Sequence, residues 1–279
     1  MYEAHFGLQE PPFALTPNTR YFLESPGHRE ALELLLVALR EREGFVKVTG
    51  EVGTGKTLLC RMLLNALGDG YRTAYIPNPC LSADGLYEAL ADELSIALPD
   101  QANVHRVLKT ITEHLLAASE QQQQVVLIID EAQAMPEATL EALRLLTNLE
   151  TETTRLLQVV LFGQPELDSL LAQQTLRQLR QRITFQYWLP PLDRQSAVDY
   201  LRHRLAQAGY RGTDLFSAAA LRLITRASGG IPRLLNVLAH KALLVAWGQG
   251  VRQVRRRHVS LAIQDTESVT MPGLLARVL

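Results

Sequence analysis

The run Gly50-Glu51-Val52-Gly53-Thr54-Gly55-Lys56-Thr57 fills the spacing G-x-x-x-x-G-K-[ST]. Glycines at those positions let the backbone curl so that successive N–H groups converge on phosphate oxygens. Lys56 supplies a mobile positive charge for β- and γ-phosphates, and the Thr57 hydroxyl is a ligand for Mg²⁺. The candidate phosphate-binding segment is Gly50 to Leu58 as a whole. A second pair, Asp130 and Glu131, ends the run "VVLIIDEAQ". Asp130 is expected to hold Mg²⁺ through water, and Glu131 to orient and polarise an attacking water. Phosphoryl transfer depends mainly on positioning and charge neutralisation, so loop, lysine, metal and water-orienting acid are its expected parts. The implied ligand is a nucleoside triphosphate, ATP, with Mg²⁺. The bland alternatives are a glycine-rich turn and a solvated acidic turn.

The flanking residues decide against those alternatives. Apolar, β-branched "FVKVT" precedes the loop, and "LLCRMLLNAL", apolar at helical spacing, follows it. That context predicts strand, turn and helix, with the helix N-terminus adding its dipole. "VVLIID" is continuously apolar, which suits a strand covered on both faces. A parallel strand delivers its terminal carboxylates beside the phosphate loop. "YRTAYI", "LLQVVLFG" and "ITFQYWL" read as further strands. Helical spacing marks 28–39, "LSADGLYEALADEL" with Ser82 as N-cap, 104–119, and "PEATLEALRLLTNL" with Pro136 in its first turn. Gly44 stops the first of these helices. The proline-rich first 26 residues read as loop. Beyond Leu192 the strands cease. Helical stretches follow, with Asp193 and Ser217 in cap positions and Gly209, Gly229 and Gly250 as stops. The prediction is an α/β fold: a parallel-sheet base with an N-terminal segment over 1–192, then an all-helical domain and short tail over 193–279.

Composition narrows the function classes. The 279 residues are 47% hydrophobic and 20% charged, enough to bury a real core. A net charge of -1 provides no global positive field for nucleic acid. Cys60 and Cys80 are too few for a disulfide framework or a metal site. "MYEAHFGLQEPPF" lacks the layout of a signal peptide, and no run of about 18 apolar residues occurs. The expected location is the cytoplasm, with the inner membrane reached through partners. The glutamines at 121–124 form a short polar connection.

A parallel-sheet base with this loop and a D-E strand end, followed by a helical lid, resembles the AAA+ ATPases. Within them the chain resembles the ExeA-type ATPases of bacterial secretion and pilus assembly. The matching stretches are "HFGLQEPPFALTPNTRYF", "VTGEVGTGKT", "IIDEAQ", "LFGQPEL", "RQRITFQYWLPPL", "YLRHRLAQAG" and "SGGIPRLLN". The resemblance implies an ATPase that forms an ATP-favoured, ring-like homo-oligomer. It would drive or regulate assembly of an envelope machine, a type IV pilus of the MSHA kind or a type II secretion-like system, with envelope assembly proteins as partners. ExeA-type proteins continue into a membrane span and a peptidoglycan-binding domain. This sequence ends after "MPGLLARVL", which favours the MSHA branch as an expectation.

Residue roles follow from the resemblance one at a time. Gln164 takes the place of a polar sensor, although many relatives use Asn, Ser or Thr; a capping residue before "PEL" is the alternative. An arginine before the last strand reaches a neighbour's γ-phosphate, and Arg177, Arg180 and Arg182 all qualify. Arginine suits this work because its permanent forked charge fits phosphate oxygens. Spacing does not choose among the three; Arg182 is favoured, then Arg180, with a solvated helix face as the alternative for any one of them. Arg233 in "GGIPR" matches the lid sensor that touches nucleotide in cis. "PNTRYF" and His28 occupy the segment that lies along adenine in such proteins. The basic run from Arg252 to His258 reads as an exposed turn before the last helix, with nucleic acid or acidic lipid as alternatives. A DNA-associated AAA+ regulator of transposition or replication initiation is the competing function. A nucleotide switch that barely hydrolyses ATP is a third, opposed by Glu131.

Overall fold

The computed structural model describes residues 1–16, 18–98, 103–150 and 155–267. Helix α1 (Glu3–Phe6) opens the chain. The sheet-forming part then runs α2 (Pro26–Arg40), β1 (Phe45–Thr49), α3 (Lys56–Ala66), β2 (Tyr71–Ile76), α4 (Ala83–Glu93), α5 (Val104–Glu120), β3 (Gln124–Ile129), α6 (Glu137–Leu146), β4 (Leu157–Gly163), α7 (Pro165–Leu171), α8 (Arg177–Arg182) and β5 (Ile183–Trp188). Helices α9 (Arg194–Gln207), α10 (Ala218–Ala227), α11 (Pro232–Gly248) and α12 (Arg256–Gln264) complete it. Packing divides the chain into two compact units. One comprises Pro26–Glu51 and Lys56–Leu189; the other comprises Met1–Ser25, Val52–Gly55 and the chain from Pro190 onward.

The first unit is a parallel sheet in the order β2-β3-β4-β1-β5. Alternate residues along each strand face opposite layers. Val46, Val48, Val126, Ile128, Val160 and Phe162 pack with Leu35 and Leu39 of α2 and Leu59 and Leu63 of α3. Val125, Leu127, Ile129, Val159 and Leu161 pack with apolar residues of α4 to α8. Coverage on both faces is why β1, β3 and β4 read as continuous apolar runs rather than alternating ones. Lys47, in the middle of β1, is the charged exception, and its ammonium is paired with Asp168 of α7. β4 lies between β1 and β3, with Thr49 opposite Gly163 and Ile129 opposite Leu161. The register thus brings the carboxyl ends of β1, β3 and β4 to one edge of the sheet, where the loops carrying chemistry emerge.

The second unit is helical. Asp193 and Ser217 cap α9 and α10 through bonds from the Ser196 and Ala220 N–H groups. Gly209, Gly229 and Gly250 end helices with positive φ. The first 26 residues, expected as loop, contain α1 and a 3-10 turn at Thr19–Tyr21. The sequence pattern places them with the base, whereas in the structure residues 1–25 pack in this unit. Tyr2, Phe6, Leu8, Phe13 and Tyr21 are buried with Leu201, Leu205, Phe216, Leu238 and Leu243. The physical reason lies in Arg204, a buried cation that needs partners. Its guanidinium donates to the Pro12 and Ala14 carbonyls at 2.6 and 3.0 Å and to the Tyr200 hydroxyl at 2.9 Å. It also stacks 4.7 Å over the Tyr21 ring. No helix among the described residues is long and apolar enough to cross a membrane. The sequence tail, 268–279, lies outside the described residues.

Candidate active site

Lys56 is the first residue of α3, and Thr57 and Leu58 continue that first turn. The lysine is only 5% exposed, and its Nζ donates to the carbonyls of Gly50 at 2.8 Å and Glu51 at 2.9 Å. Gly50 itself donates its N–H to the Gly163 carbonyl at 3.2 Å, tying the loop base to the end of β4. The Thr57 hydroxyl donates to Asp130 Oδ2 at 2.6 Å, and the Glu131 N–H donates to Asp130 Oδ1 at 2.9 Å. Burial pushes the Asp130 carboxyl above its ordinary range, while the Thr57 and Glu131 hydrogen bonds and the Lys56 charge pull it back down. Burial lowers Lys56, opposed by the carboxylates of Glu131, Asp130, Glu51 and Glu166. A hydroxyl and a carboxylate at hydrogen-bonding distance form a hard oxygen donor pair. Two protein oxygens suit Mg²⁺, which keeps several waters and takes substrate phosphates as its other ligands.

The loop tip, Val52–Gly55, packs within the helical unit. Gly53 and Gly55 have φ of 82° and 103°, the left-handed region that side chains disfavour. The Arg233 N–H, one residue into α11, donates to the Gly53 carbonyl at 3.2 Å. A Cβ on Gly53 would come within 2.5 Å of the Arg233 Cβ, so only glycine permits this approach. Pro232 at the first position of α11 has no N–H to satisfy, and Arg233 follows it at the helix start with an exposed side chain.

Glu131 is the least conventional residue of the site. Its backbone is left-handed, φ 52° and ψ 38°, a conformation that costs a non-glycine residue about 1–3 kcal/mol. Two amides hold its carboxylate. Gln133 Nε2 donates to Glu131 Oε2 at 2.5 Å, and Gln164 Nε2 donates to the same oxygen at 2.9 Å. Gln133 Oε1 in turn accepts the Gln164 N–H at 3.0 Å, closing the network. Gln164 stands at the N-cap position of α7 without a side-chain capping bond, its amide being engaged by Glu131. The sequence reading assigned Gln133 no role. Its signal was present in "DEAQ": a turn two residues long folds an amide back onto the glutamate.

The remaining residues lie apart from this network. Arg177 and Arg180 on α8 are exposed. Arg182 is partly buried and donates to the Thr147 hydroxyl at 3.2 Å. That bond occupies part of the fork of the arginine favoured on sequence and leaves Arg180 the freer of the two. His28 is buried on α2. Arg255, Arg256 and Arg257 are exposed where α12 begins, so the basic run is a helix start as well as a turn, and His258 is buried beneath it.

An AAA domain model matches residues 39–171. General secretion pathway protein A of Aeromonas hydrophila is 44% identical over 273 residues, covering 98% of this chain and 50% of that protein. The chain therefore spans about half the length of the curated relative it matches. Two solved structures share the fold at low identity. Cdc6p from Pyrobaculum aerophilum aligns with a TM-score of 0.70 at 19% identity, over 91% of this chain and 70% of that one. The Aeropyrum pernix ORC2 protein, solved in ADPNP and ADP complexes, gives 0.67 at 18%, over 94% and 73%. With a five-stranded parallel sheet, a glycine loop between β1 and α3, and identity that runs nearly end to end, this chain belongs to the ExeA-type AAA ATPases.

Proposed function

We propose that the chain binds ATP with Mg²⁺ along Gly50–Leu58 and hydrolyses it as a homo-oligomer that drives or regulates assembly of a bacterial envelope machine. The observation that carries the reading is the 2.6 Å bond between Thr57 on the phosphate loop and Asp130 at the end of β3, with Glu131 beside them under two amides. Thr57 and Asp130 would hold Mg²⁺, which when bound neutralises phosphate charge. Lys56 exchanges carbonyl partners for phosphate oxygens. Glu131, fixed by Gln133 and Gln164, orients water for in-line attack and takes up its proton. Arg233 joins the loop tip at Gly53 within the helical unit. Arg180, with Arg182 behind it, is the arginine offered to a neighbouring subunit. The likeness to General secretion pathway protein A supports an envelope role, in an MSHA-type pilus or a secretion system, from the cytoplasm and peripherally at the inner membrane through partners.

Mixing of two defective forms tests this. Glu131→Gln should bind ATP and lose about 10²–10⁴-fold in turnover. A double Arg180→Ala, Arg182→Ala form should bind ATP normally and stay slow at every concentration. Mixed, they should partly recover, because some interfaces pair an intact Glu131 with a neighbour's intact arginine. A trans arginine is worth about 10³–10⁵ in rate in well-studied systems. Turnover per subunit that is flat on dilution, with no recovery on mixing, would instead leave a monomeric switch. A second reading, a DNA-associated regulator, draws on residues 190–279, where thirteen Lys and Arg face five Asp and Glu.

A further inference from the structure

The helical unit carries a cavity lined in part by Gly229 and Gly230 but by none of Gly50–Leu58, Asp130 or Glu131. It has a volume of about 650 Å³, and its lining includes Arg194, Arg222, Arg226 and Arg256 around Leu192 and Leu223, with no acidic residue in the wall. The four arginines come from three elements. Arg194 is the first residue of α9, Arg222 and Arg226 stand one turn apart on α10, and Arg256 is the first residue of α12. All four are exposed. The ion pairs found among the described residues of this unit include Met1–Glu3, Arg20–Glu10, Arg202–Asp214 and Lys241–Asp265, and none involves a cavity arginine. No residue of the loop tip Val52–Gly55, nor Arg233, lines the cavity.

Local electrostatics make this arrangement unfavourable on its own. A cation in the first turn of a helix opposes the macrodipole, and both Arg194 and Arg256 stand in that position. Four like charges around one concavity repel one another. The surrounding sequence adds to the field: residues 190–279 hold thirteen Lys and Arg against five Asp and Glu, whereas 1–189 hold fifteen against twenty-four. The net of -1 for the whole chain therefore conceals a basic helical part and an acidic remainder. An anion of high charge density would relieve the repulsion and the two dipoles together.

We propose that this cavity is a binding site for a phosphate-bearing anion, distinct from the ATP site. Guanidinium forks match tetrahedral oxyanions two oxygens at a time. A phosphate group brings up to two charges into a small volume, whereas a peptide carboxylate brings one. A concave wall admits a discrete group, while duplex nucleic acid needs an extended track of phosphate contacts. Leu192 and Leu223 give the bound molecule an apolar surface beside its charge. Two sources share this chemistry: a soluble phosphate ester, and the head group of an anionic phospholipid.

Titration calorimetry with inorganic pyrophosphate, and flotation with phosphatidylglycerol or phosphatidylcholine vesicles, distinguish the sources. Each is run on the wild type, Lys56→Ala, Arg222→Gln/Arg226→Gln and Arg194→Gln/Arg256→Gln. Thermal unfolding and ADP affinity check that the arginine variants remain folded; the second pair serves if the first does not fold. Pyrophosphate binding that survives in Lys56→Ala and weakens about tenfold or more in the arginine variants supports the site with a soluble source. The same arginine dependence seen only with phosphatidylglycerol vesicles supports it with a lipid source. Pyrophosphate binding lost in Lys56→Ala and kept in the arginine variants places the anion at the phosphate loop alone and overturns the proposal. Arginine-dependent binding of short duplex DNA, with neither pyrophosphate nor vesicles bound, overturns it in favour of nucleic acid. No arginine-dependent binding of any probe also overturns it.

Discussion

The chain holds two clusters of charge built on opposite plans. At the strand ends of the α/β unit, Lys56 and Asp130 are 5% and 2% exposed, and each is satisfied by neighbours in the same unit. In the helical unit, four exposed arginines share one cavity without a carboxylate among them. The difference follows from solvation. A buried charge is costly unless hydrogen bonds replace its water, so the cluster around Lys56 and Asp130 arrives with its partners in place. An exposed guanidinium keeps its water and its full charge, so the cavity arginines need no internal partner and stay available to an external one. The first plan fixes geometry; the second leaves charge uncommitted.

The sharpest way to break this contrast is to remove the buried cation. Lys56→Ala should weaken ATP binding by about 2–5 kcal/mol, measured by calorimetry, because the phosphates lose their mobile counter-charge. Binding at wild-type strength would mean that the buried cluster is structural. The amides come next. Gln133→Ala and Gln164→Ala should each lower kcat about tenfold and leave KM unchanged, since each removes one charge-assisted bond worth about 1.5–3 kcal/mol. The double variant should lose less than the product of the two, because both donors share Glu131 Oε2. Multiplicative losses would mean that the network does not act as one unit.

A smaller effect concerns pH. Burial raises the Asp130 carboxyl above the ordinary aspartate range. An acid with a raised pKa takes up its proton at a higher pH than a solvated aspartate, and the protonated form no longer attracts a cation. The Mg²⁺ contribution to ATP affinity should therefore decline as pH falls, starting above the range where exposed aspartates titrate. Asp130→Asn should abolish that contribution and flatten the profile; an unchanged profile would remove Asp130 from the metal site. The smallest effect should come from the helical unit. Ser217→Ala deletes the cap of α10 and should cost about 1 kcal/mol in thermal unfolding with ATP affinity unaltered. A matching loss of ATP affinity would show that the two regions are energetically coupled.

Much of this molecule was legible in the residues alone. The loop from Gly50 to Thr57, the strand end at Asp130 and Glu131, the alternation of strand and helix, and the caps at Ser82, Asp193 and Ser217 are local patterns, and local patterns survive in a linear string. Spacing can state that a lysine follows a glycine loop, because both belong to one turn of chain. It cannot state which distant side chains will meet. The bond from Thr57 to Asp130 spans 73 positions, and Gln164 reaches Glu131 across 33. Arg204 holds the carbonyls of Pro12 and Ala14 from some 190 positions away. Net charge failed for a related reason: a sum over the chain of -1 averages away an acidic part and a basic part. Period and local motif determined the elements and the glycine loop between β1 and α3. Only tertiary structure decided that two glutamines clamp the glutamate, that Arg182 leans on Thr147, and that arginines from three helices face one cavity. Long-range contacts are set by packing of the whole core, and no short window of sequence contains that information.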